Sequence, residues 1–176
     1  MCIRDRLNGQ SALKLYKEYL GEAASELPGA ALYYPLGIQK IGDETGESFV
    51  VRTILSIDEE AQTMTFAGDI PEGYTAKLMK RNTKRLINGA QKAAQNALNT
   101  LDSDESPDLA ILVSCVGRKI VLGQNIDDEV EVVRDLFGDE TAITGFYSYG
   151  EIAPKPDFTN CVLHNQTMTI TTFKEE

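Results

Sequence analysis

The sequence predicts an α+β fold: a mostly antiparallel sheet or sheets with about three packed helices, in the order αβββαββαββ. Three observations carry this reading. Short runs of alternating or continuous apolar residues are joined by tight, turn-like stretches, the signature of hairpins. A few longer segments place apolar residues at helical spacing. The regular strand–helix alternation that a parallel sheet would need is missing.

Taken in order, Met1–Arg6 (MCIRDR) is charged and has no periodicity, so residues 1–7 are expected to be a non-native or irregular leader, with residues 8–176 forming a single domain. Ala12, Leu15, Tyr16, Tyr19 and Leu20 share one face of a helix that Gly21 ends. Pro28 and Gly29 then interrupt the chain before three expected strands, Ala31–Ile41, Phe49–Ile57 and Thr63–Ala67. The turns between them, DETGE at Asp43–Glu47 and Asp58–Gln62, predict an antiparallel meander. Thr75–Leu101 reads as the longest helix, with Leu86, Ala90, Ala93, Ala94, Ala97 and Leu98 as a small-residue stripe suited to close packing. Asp102–Asp108 is a polar linker. Leu109–Cys115 and Lys119–Leu122 around Gly117 predict a hairpin. Asp127 and Asp128 open a helix carrying Ile126, Val130, Val133 and Phe137, and Gly138 closes it. Ala142–Tyr149 and about Cys161–Phe173 complete the set as strands.

Composition bounds the function. With 42% hydrophobic residues among 176, the chain can bury a sizeable core. The 27 acidic residues outnumber 17 basic ones, for a net charge of −10, which disfavours nucleic acid and anionic membranes as partners. No apolar run reaches the roughly 20 residues of a spanning helix, and no secretory signal precedes the first helix. The three cysteines, Cys2, Cys115 and Cys161, lack metal-type spacing and read as reduced thiols, so the expected location is cytoplasmic. No glycine-rich phosphate loop, nucleophile elbow or zinc motif is present, and no cofactor or metal is expected.

Five segments together, SALKLYKEYLGE, FVVRTILSIDEEAQTMTFAGDIPEGY, LAILVSCVGRKIVLGQ, GFYSYGEIAP and LHNQTMTITTF, resemble the C-terminal domain of FIST (F-box and intracellular signal transduction) proteins. The resemblance implies an intracellular sensory domain that binds a small ligand such as an amino acid and signals to a downstream domain or protein. It also implies a FIST N-terminal domain as partner, in the full-length protein, to a chain that reads as lacking it. It assigns no site residues, so these are argued from chemistry.

Strand alternation would place Tyr147, Tyr149 and Glu151 on one face, two phenol rings beside a carboxylate, a receptor for a small cationic group. His164, the only histidine, and Asn165 follow on the next strand. Arg118, near the Gly117 turn, could clamp a ligand carboxylate. Each has a plainer reading: packed tyrosines, an exposed acid, a structural histidine, a solvated hairpin tip. Lys77, Lys80, Arg81, Lys84 and Arg85 crowd the start of the expected long helix against its dipole, with Asp69 and Glu72 as nearby compensation. No catalytic residues are expected. The alternatives are a thiol enzyme pairing Cys115 with His164, which requires their strands to be neighbours, and a structural half that docks to the FIST N-terminal domain.

Overall fold

The buried apolar residues gather in two clusters, and the chain divides accordingly into two units, Met1–Arg81 with Pro154–Asn165 and Asn82–Ala153 with Gln166–Glu176. The computed structural model describes residues 2–42, 49–101, 106–154 and 161–175. Four α-helices lie among the described residues, together with mostly antiparallel strand pairs, so the α+β prediction holds.

In the first unit, strand β1 (Cys2–Arg4) precedes helix α1 (Ala12–Leu20). Ser11 caps α1 by accepting the Lys14 backbone N–H on its hydroxyl at 3.2 Å, and Gly21 follows at φ +59°, a conformation costly for any side chain. The helix buries Ala12, Leu13, Tyr16 and Leu20, close to the face read from the sequence. Five strands follow: β2 (Leu36–Lys40), β3 (Val50–Arg52), β4 (Ile54–Asp58), β5 (Thr63–Phe66) and β6 (Tyr74–Leu78). With β1 they form two three-stranded antiparallel sheets, ordered β1-β5-β4 and β3-β2-β6.

The strand order and the long helix both differ from the sequence expectation. The single meander is divided at Thr53, because Val50–Arg52 pairs with β2 whereas Ile54–Asp58 pairs with β5. The long helix expected from Thr75 begins only at Thr83, because Tyr74–Leu78 satisfies its backbone groups against β2 instead. The basic cluster is therefore spread over a strand, a connection and a helix start, and Lys77 lies over the Phe49 ring at 5.8 Å. The expected turn at Asp43–Glu47 lies outside the described residues, as does part of the Asp102–Asp108 linker.

The second unit begins with α2 (Thr83–Leu98), capped by Asn82, whose side chain accepts the Arg85 N–H at 2.9 Å. Its buried stripe of Leu86, Ala90, Ala94 and Ala97 follows the predicted small-residue face. Strand β7 (Leu109–Cys115) runs straight into α3 (Val116–Leu122), which replaces the predicted hairpin. Helix α4 (Asp128–Phe137) starts and stops as predicted, with Gly138 at φ +84°. Strands β8 (Ala142–Ser148) and β9 (Glu151–Pro154) follow. The expected final strand is interrupted, giving β10 (Cys161–His164), which belongs to the first unit, and β11 (Met168–Phe173), with Gln166 at φ +53° between them. The central sheet of the second unit has the order β8-β7-β11, with β8 parallel and β11 antiparallel to β7. Ala110, Leu112 and Ser114 of β7 are buried, whereas the alternate residues Leu109, Ile111 and Val113 are half-buried. The buried side packs with α2 and α4 through Ala90, Ala94, Val133 and Phe137.

Candidate functional site

The structure redistributes the residues that the sequence grouped. Strand β8 ends at Ser148 and the chain bends at Tyr149, so alternation does not extend across Tyr147, Tyr149 and Glu151. Tyr149 is 90% exposed, while Glu151 is only 3% exposed. Both Glu151 oxygens are occupied: Ser148 Oγ donates to Oε1 at 2.6 Å and Thr167 Oγ1 donates to Oε2 at 2.7 Å. The acid expected to face a ligand beside two rings is thus held by two hydroxyls from its own unit.

In the first unit, His164 ends β10 and is half-buried, and Asn165 is fully buried. The Asn165 side chain accepts the Thr53 N–H on Oδ1 at 3.2 Å and donates from Nδ2 to the His164 carbonyl at 3.1 Å. Its amide bridges β10 to the break between β3 and β4. Arg52 reinforces that link, donating from Nη1 to the Leu163 carbonyl at 2.9 Å and from Nε to the Asp69 carbonyl at 2.7 Å.

Arg118 departs furthest from its plainer reading. It sits in α3 and is 3% exposed, not at a solvated tip. Its Nε and Nη2 donate to Glu129 Oε2 at 2.9 and 2.8 Å, and Nη2 also donates to the Leu86 carbonyl of α2 at 2.9 Å. Glu129, wholly buried in the first turn of α4, receives two further bonds on Oε1, from Tyr147 Oη at 2.9 Å and Ser114 Oγ at 3.2 Å. The helix N-terminus favours a negative charge at this position, and the guanidinium compensates its burial. Lys119 Nζ lies over the Tyr147 ring at 5.0 Å. Burial, together with the Glu129 carboxylate, pushes the Tyr147 phenol above its ordinary range, so it stays protonated.

This network forms the polar end of a cavity of about 260 Å³ within the second unit. Ser114, Glu129 and Tyr147 line it together with the apolar Leu112, Val130, Ile143 and Met168; Thr144, Gly145 and Phe146 of β8 complete the wall, Gly145 without a side chain. Of the six expected residues, Tyr147 alone lines it, with Arg118 behind Glu129. The sequence reading missed Glu129 and Ser114. Glu129 precedes Val133 by four residues and Phe137 by eight, which sets it on the buried stripe of α4, and Ser114 follows Ala110 and Leu112 at strand spacing on the inward side of β7. Those spacings were the available signal.

A larger hollow of about 1010 Å³ lies in the first unit, beside Tyr16, Tyr19 and Tyr74. Arg4–Asn8, from the stretch read as a leader and its junction, builds part of its wall, and none of the expected site residues line it.

Cys115 is buried, and burial raises its thiol pKa, opposed in part by backbone N–H groups of Gly117, Gln166 and Arg118. Among the described residues the neighbours of its strand are β8 and β11, not the β10 strand of His164, which a Cys115–His164 catalyst required. Among the described residues there is no group of three or more His, Cys, Asp or Glu side chains arranged to hold a metal, and no helix is long and apolar enough to cross a membrane.

No curated protein and no solved structure matches the chain. The family model of the FIST C domain, a sensory domain of signal-transduction proteins, matches residues 12–154, which is most of the sequence. The chain therefore belongs to the FIST C domain family.

Proposed function

We propose that this protein is an intracellular small-ligand-sensing domain without catalytic activity, whose ligand, an amine-bearing metabolite of amino-acid size, lodges in the cavity beside Tyr147. One observation carries the reading: a small, apolar-walled hollow ends in a convergent set of polar side chains, Glu129, Ser114 and Tyr147, which is the usual anatomy of a small-molecule site. The ion pair behind it reaches the Leu86 carbonyl of α2, so a ligand that disturbs Glu129 acts on two helices at once. The output would pass to a downstream signalling domain or protein.

A thermal-shift screen against amino acids and simple amines tests this. A ligand at 100 times its dissociation constant stabilises the fold by roughly 2.7 kcal/mol. The reading is abandoned if no compound shifts the transition, or if Val130→Trp, which fills the cavity mouth, leaves a shift unchanged.

A second reading, a half that docks to a FIST N-terminal domain, draws on the half-buried Leu109, Ile111 and Val113 of β7 and on the exposed Phe146 and Phe173 of the flanking strands. Under it, ligand response would appear only once both halves are present.

A further inference from the structure

We infer that the cavity selects hydrogen-bond donors at its inner end, and that its ligand class is a compact apolar amine rather than a carboxylate or a zwitterion held through its acid group. This rests on the cavity being the sensory site. A hydroxyl carries one proton. Ser114 and Tyr147 both direct theirs at Glu129 Oε1, at 3.2 and 2.9 Å, so the lone pairs of their oxygens are what they can offer a ligand. The carboxylate of Glu129 likewise only accepts. The one buried cation of the network, Arg118, is bound to Glu129 Oε2 and to the Leu86 carbonyl and does not line the cavity. The polar end is therefore an acceptor surface.

A ligand ammonium or amine meets two hydroxyl oxygens there, each polarised by the buried Glu129 carboxylate behind it, in a site where Leu112, Val130, Ile143 and Met168 shed water around an apolar body. A ligand carboxylate or phosphate meets lone pairs at that end and pays its desolvation without a donor there; the other hydroxyl of the lining, Thr144, stands an odd number of residues from Tyr147 on β8 and so on the opposite face of the strand. The phenol, kept protonated by burial and by Glu129, preserves this polarity.

The test compares phenethylamine, phenylalanine and 3-phenylpropionate on the full chain by calorimetric titration, in the wild type, Tyr147→Phe, Ser114→Ala and Val130→Trp. Melting curves without ligand establish that each variant is folded. The expected result is that phenethylamine binds at least about tenfold more tightly than phenylalanine, since taking the extra carboxylate out of water without a donor costs a factor of that order or more. 3-Phenylpropionate does not bind, and either Tyr147→Phe or Ser114→Ala, together with Val130→Trp, weakens the amine. If the acid or the amino acid binds as tightly as the amine, and Val130→Trp abolishes that binding, the donor preference is wrong while the cavity remains the site. If none of the three binds, or if Val130→Trp changes nothing, both the preference and the site are overturned.

Discussion

Arg118 and Glu129 show why a buried charge is more consequential broken than paired. Each is shielded from water, and each satisfies the other at 2.8 Å. Truncating Arg118 to Ala would leave Glu129 buried without its counter-charge, and the expected loss is about 3–5 kcal/mol by urea denaturation. The double variant Arg118→Met with Glu129→Gln is expected to recover much of that loss, because no isolated charge remains. Titration behaviour belongs to the same scale. Burial raises the phenol pKa of Tyr16 and of Tyr147 above the ordinary 10.0, with the Tyr34 charge adding at Tyr16 and Glu129 adding at Tyr147. Above pH 10 the unfolded chain releases these protons while the folded chain keeps them. The folded state then binds more protons, so stability is fully present below pH 10 and falls as pH rises beyond it. Thermal melts between pH 8 and 11 should show this decline, and Tyr16→Phe or Tyr147→Phe should flatten it. The sequence exposed Tyr147 and Arg118 as unusual residues, but not their shared partner. Glu129 sits among Asp127, Asp128 and Glu131, and an acidic run at a helix start reads as solvated. Only its four-residue spacing from Val133 distinguishes it.

Elements were legible where a local signal sufficed. Ser11 caps α1, and Gly21 and Gly138 end α1 and α4, because caps and left-handed turns act within a few residues, while the acids Asp127 and Asp128 mark the start of α4 through the helix dipole. Asn82 was also a local signal, and its cap bond marks where α2 truly begins. Asn82→Ala should cost about 1 kcal/mol, with the first turn of α2 losing amide protection in hydrogen exchange. The segment Tyr74–Leu78 became a strand because β2 offered it a ladder, which no local pattern announces. Strand β8 illustrates a further constraint. A Cβ at Gly145 would run into the Leu112 carbonyl of β7, which is fixed in the ladder. Gly145→Ala is expected to destabilise the second unit by about 1–3 kcal/mol or more, as over-packing against backbone does, and to narrow the cavity.

For the whole molecule, charge sets what the protein avoids. With a net charge of −10, it is expected not to co-sediment with anionic vesicles or duplex DNA at about 0.15 M salt, where only close charge contacts survive screening. Retention on either would mean that a local basic surface outweighs the net charge. Two hydrophobic clusters, one centred on Leu13, Met64 and Phe66 and the other on Ala90, Val133 and Phe137, give each unit its own interior. A pattern of apolar residues along the chain tells which faces are buried, not which faces bury one another, so this division was not visible from the sequence.

The sequence by itself determined the fold class, the glycines that end α1 and α4, the small-residue face of α2 and the family, because all of these reside in short spans or in the order of blocks. Tertiary structure decided the site. It turned Glu151 inward onto two hydroxyls, left Tyr149 in water, and brought Arg118, Ser114 and Tyr147 to Glu129 from separate elements. The physical reason is that a buried charge takes whatever partners the packed elements bring within about 3 Å, and hydrogen bonds of that length connect residues far apart in the chain.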